Sequence, residues 1–99
     1  MENGIATINK EKIKVKKPSL YKVIMHNDDF TTMEFVVEVL RKVFNKDLNT
    51  SNKIMMDVHK RGIGIVGVYP YDIAATKFAI ALGMAKEEGF PFNITIEEE

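Results

Sequence analysis

Glycine and proline punctuation fixes the second half of this chain more tightly than any other feature. Gly62 precedes the β-branched run IGIVGVY (residues 63–69), Pro70 ends it, and Gly89 with Pro91 closes the long segment that follows. Proline has no N–H to give a sheet but suits a helix entry, so 63–69 reads as a strand and 71 to about 88 as a helix. Ala74, Ala75, Ala79, Ala81 and Ala85 favour that helix and allow close approach. Residues 92–96, FNITI, then alternate as a strand.

The first half divides by periodicity. Residues 20–26, LYKVIMH, read as a strand. Thr31-Thr32-Met33-Glu34 fits a capping box, with Thr31 as the cap and Glu34 reaching back. Met33, Val36, Val37, Leu40, Val43 and Phe44 then form one helical stripe, which carries the first helix to about Phe44. After the polar break at 45–49, Thr50 or Ser51 caps a second helix, and Gly62 sits where a left-handed residue would end it. The order is β-α-α-β-α-β. The fold class expected is α+β, a three-stranded sheet with three helices packed on one face.

Residues 1–18 have no aromatic and few large apolar side chains, and read as a flexible N-terminal arm, leaving 19–99 as one folded domain. The alternating Lys12-Ile13-Lys14-Val15-Lys16 leaves an edge strand open as the alternative. Fourteen basic and fourteen acidic side chains cancel, removing the usual electrostatic case for nucleic acid or an anionic membrane. With no cysteine, a disulfide framework, a thiolate nucleophile and a cysteine-ligated metal are all excluded. No apolar run approaches the roughly 20 residues of a membrane helix, so a cytoplasmic protein without membrane contact is expected.

The stretch HNDDF, residues 26–30, joins the first strand to the first helix. Asn and Asp commonly build such turns and favour helix starts. Yet Asn27, Asp28 and Asp29 exceed what capping requires when Thr31 can cap, which points to an acceptor site for a cation. The spacing is not that of a calcium loop, and no phosphate loop accompanies it as magnesium would want; an organic ammonium needs only a few acceptors. On the second helix Met55, Val58 and His59 share one face at i, i+3 and i+4, a pattern that core-facing helices also show. Asp57 projects the other way, so no Asp–His relay forms within that helix. Together with Met33 and Val36, these residues would make a socket half apolar and half anionic. It suits an ammonium beside a large hydrophobic group, which is the first residue of a polypeptide.

The sequences YKVIMHNDDFTTMEFVVEVL and MMDVHKRGIGIVGVYPYDIAATK strongly resemble ClpS, the bacterial adaptor family of the N-end rule. The resemblance covers residues 18–96 and implies an adaptor, not an enzyme, with no cofactor. Such adaptors bind proteins beginning with Phe, Tyr, Trp or Leu and deliver them, as monomers, to a ClpA- or ClpC-type AAA+ unfoldase for degradation by ClpP. It implies that Asn27, Asp29 and His59 contact the α-amino group with Asp28 nearby, and that Thr31, Met33, Val36, Met55, Val58 and Phe92 line the hydrophobic pocket. Met33 would guard against β-branched first residues. Asp72 and Lys77 would meet the unfoldase's N-terminal domain. Three positions depart from the commoner family pattern: Thr32 for proline, Phe92 for leucine, and Asp72 for glutamate. The rival readings are an enzyme, opposed by the absence of any nucleophile or metal motif, and a small nucleic-acid- or ribosome-associated α+β module, opposed by the zero net charge.

Overall fold

The computed structural model describes residues 18–99. The expected arm, and the edge strand considered within it, lie outside the described residues apart from Pro18. Six elements follow: β1 (Leu20–His26), α1 (Met33–Lys42), α2 (Leu48–Arg61), β2 (Ile63–Pro70), α3 (Tyr71–Glu88) and β3 (Asn93–Glu98). The sheet runs β2-β1-β3, with both pairings antiparallel and β1 in the centre.

Strand β1 turns Tyr21, Val23 and Met25 toward the helices, and Val23 and Met25 are fully buried. The β1–β2 register shifts between Val23 and Ile24: Gly67 opposes Val23 and Ile65 opposes Ile24, leaving Val66 as the extra residue of a bulge. The bulge keeps Val66 buried while Ile65, its neighbour, faces out. Gly64 is required by close packing. A Cβ there would lie 2.7 Å from the Val58 Cγ2 and 3.0 Å from the Ile54 carbonyl oxygen, so α2 rests directly on the β2 backbone.

The helix boundaries follow local capping. Thr32, not Thr31, caps α1: its hydroxyl accepts from the Phe35 N–H at 3.1 Å. Thr31 is unavailable because the Asp28 carboxylate holds both its N–H and its hydroxyl, at 2.7 and 2.8 Å. The buried stripe of α1 is also turned from the expected one. Phe35 and Val39 join Val36 and Leu40 in the core, whereas Met33 and Val37 lie on the flank. Asp47, not Thr50 or Ser51, caps α2, accepting from the Thr50 N–H at 2.7 Å. Gly62 ends α2 at φ +90° and Gly89 ends α3 at φ +78°, the left-handed conformations that glycine adopts without steric cost. Small side chains bring α3 onto the sheet, with Ala74, Ala81 and Ala85 buried. Phe35 seals the centre, edge-to-face with Phe90 (5.1 Å between centroids) and Phe92 (5.5 Å).

Candidate functional site

A backbone hydrogen bond anchors the start of the β1–α1 turn. The Asn27 N–H donates to the Gly62 carbonyl at 2.9 Å, tying the turn to the end of α2, three residues beyond His59. The turn, the first residues of α1 and the second half of α2 thereby enclose a depression of about 560 Å³. Asn27, Asp28, Asp29, Thr31, Met33, Val36, Met55, Val58 and His59 all line it. Phe92, expected at the pocket edge, is not among its lining residues; its ring stands edge-on to Phe35 within the core. Phe30, Thr32 and Glu34 also line the depression. Phe30 is 73% exposed, and an aromatic inside an otherwise polar turn is the sequence signal that could have found it.

The floor and rim differ in chemistry. Val36 and Val58 are buried and Met55 is half-buried, whereas Met33 stands 40% exposed at the edge. Asn27, Asp29 and His59 are exposed and supply acceptors on the other side. The two adjacent carboxylates are unequal. Asp28 Oδ1 accepts from the N–H groups of Phe30 (2.8 Å) and Thr31 (2.7 Å), and Oδ2 accepts from the Thr31 hydroxyl (2.8 Å). Burial pushes the Asp28 carboxyl up, but those three donors together more than offset it and hold it below the ordinary carboxylate value. Asp29 accepts no hydrogen bond among the described residues. No group of three or more His, Asp or Glu converges as a metal centre would require, again among the described residues.

Asp72 and Lys77 lie elsewhere, in a groove of about 490 Å³ between the end of α1 and α3. Ile73, Ile80, Val43 and Met84 make it chiefly apolar. The Lys77 ammonium turns inward: it donates to the Val43 carbonyl at 2.7 Å and lies over the rings of Phe44 and Tyr69, 5.7 and 6.0 Å from their centroids. A third depression, about 600 Å³, runs along the charged outer face of α1, with Val37 its one apolar residue.

Known proteins share this sequence and fold. The family described as ATP-dependent Clp protease adaptor protein ClpS matches residues 16–95. The ClpS adapter proteins of Clostridium acetobutylicum and Acetivibrio thermocellus are 57% and 54% identical to this chain, over 90% and 85% of it and 88% and 85% of their own lengths. The solved structure of Agrobacterium tumefaciens ClpS2, bound to L-phenylalaninamide, superposes with a TM-score of 0.80 at 44% identity, covering 84% of this chain and 100% of that one.

Proposed function

Because the chain belongs to the ClpS family of Clp protease adaptors, and so is an adaptor and not an enzyme, we propose that it binds proteins beginning with Phe, Tyr, Trp or Leu and hands them to a ClpA- or ClpC-type AAA+ unfoldase for degradation by ClpP. The observation that carries this reading is the pairing, in one depression, of an Asp29 carboxylate that accepts no hydrogen bond among the described residues, Asn27 and His59 with a floor of Val36 and Val58. An α-ammonium takes the polar side and the first side chain takes the floor. That the Agrobacterium relative holds phenylalaninamide, a free amine beside an aromatic ring, supports it.

Neither half suffices alone. Full burial of one aromatic side chain contributes about 1.5–3 kcal/mol, which by itself gives affinities no better than roughly millimolar. Charge-assisted hydrogen bonds add about 1.5–3 kcal/mol each where sheltered from water. Delivery requires a second contact, for which the groove holding Asp72 and Lys77 is the candidate. With the Lys77 charge turned toward Val43, the partner there meets Asp72 and the exposed Ile73 and Ile80. Substrate and unfoldase are each met by one copy of the chain, so it works as a monomer.

The test is a fluorescence-anisotropy titration with two peptides that begin with phenylalanine, one with a free amine and one N-acetylated. Tight binding of the free form and loss of at least about tenfold on acetylation is expected. Equal binding of both would refute amine recognition.

A further inference from the structure

Val37 has no place in the core. It is half-buried on α1, yet it belongs neither to the buried cluster nor to the side chains packed against that cluster. Instead it faces a hollow of about 390 Å³ between α1 and α2, which Met33, Glu34, Asn52 and Met55 also line. We propose that this hollow is a second subsite for the bound chain and takes an apolar side chain of its third residue. The inference rests on the adaptor reading above and extends that site beyond the first residue.

The hollow adjoins the depression directly. Met33, Glu34 and Met55 line both, so the two methionines form a shared wall between them. Thioether side chains are flexible enough to pack against an occupant on either side. Val37, Met33 and Met55 supply apolar surface, and Glu34 and Asn52 give it an exposed polar border. Spacing selects the third residue. Met55 and Asn52 precede His59 by four and seven positions, about 6 and 10 Å along α2. An extended chain rises about 3.3 Å per residue and turns successive side chains to opposite sides, so its third residue lies about 7 Å beyond the first and points the same way. With the amine at His59 and the first side chain on the floor, a chain leaving along α2 sets its third side chain between Met55 and Asn52. The second side chain then faces solvent.

The probes are fluorescent free-amine peptides that begin Phe-Ser-Leu, Phe-Leu-Ser and Phe-Ser-Ser and are otherwise identical, titrated into wild type, Val37→Gln and Asn52→Leu. Gln and Leu are good helix formers, and neither position is buried, so both variants should melt close to wild type. Wild type should prefer Phe-Ser-Leu to Phe-Ser-Ser by about three- to tenfold, as partial burial of one leucine gives. Phe-Leu-Ser should stay within about twofold of Phe-Ser-Ser. Val37→Gln should reduce the third-position preference below about twofold, and Asn52→Leu should enlarge it. Each preference is a ratio within one variant, so any change in amine recognition cancels. Equal affinity for the three peptides, a preference for leucine at the second position, or a third-position preference that both variants leave unchanged overturns the subsite while leaving the adaptor reading intact. Failure of the wild type to bind any of the three peptides overturns both.

Discussion

Thr31 and Thr32 carry the same hydroxyl and use it in opposite directions. Thr31 donates to Asp28, and Thr32 accepts from the Phe35 N–H. The capping-box spacing selects Thr31, because nothing in a linear pattern records that a carboxylate three residues upstream has already taken it. The same limit misplaced the start of α2. The run Asp47-Leu48-Asn49-Thr50-Ser51 offers several capping side chains, and Asp47 is the one that bonds. The residue types of the socket were legible; which donor each acceptor would meet was not. Asp28 also carries a pH signature. Its folded value lies below the ordinary 3.8, so it favours the folded state above that value and loses the contribution as pH falls through the folded value. Melting temperature should therefore drop below about pH 4, and Asp28→Asn should flatten that acid limb. A limb of equal steepness in the variant would assign the acid loss to other carboxylates.

Among elements, boundaries marked by glycine and proline were readable because those residues act through the backbone alone. Gly62, Pro70 and Gly89 stand where strand and helix change over. The face of α1 was less readable. The apolar pattern of residues 33–44 admits two stripes about one position apart, and the choice depends on Phe35 meeting Phe90 and Phe92 from a segment about 55 residues away. That rotation frees Met33 for the rim of the depression. Contact between α2 and β2 gives the sharpest element-scale expectation. Gly64→Ala would drive a methyl group into Val58 and the Ile54 carbonyl, costing about 1–3 kcal/mol. A melting curve should show that loss together with weakened peptide binding, since Val58 floors the depression. Wild-type stability in this variant would mean that α2 gives way without cost.

For the molecule as a whole, α1 borders two depressions. Its first residues, Met33, Glu34 and Val36, line the candidate binding depression, and its last residue, Lys42, lines the apolar groove together with the C-cap Val43. A helix of ten residues is about 15 Å long, enough for two partners to bind without overlapping. Saturating amounts of an unfoldase N-terminal domain should therefore leave the anisotropy-measured affinity for a free-amine phenylalanine peptide within about twofold of its value alone; a change of about tenfold would reveal coupling through α1. Strand order β2-β1-β3 was not in the sequence pattern, because nothing local says which strand takes the middle. The contact between Gly64 and Val58 bears finally on how such a socket can diversify. Met33 and Phe30 at its edge are exposed, so they can be exchanged with little effect on folding and, under the proposed function, are where new preferences for a first residue can be selected. Val58 is interlocked with a glycine on another element and can change only in company. A library meant to retune the adaptor should randomise the rim freely and treat positions 58 and 64 as a pair.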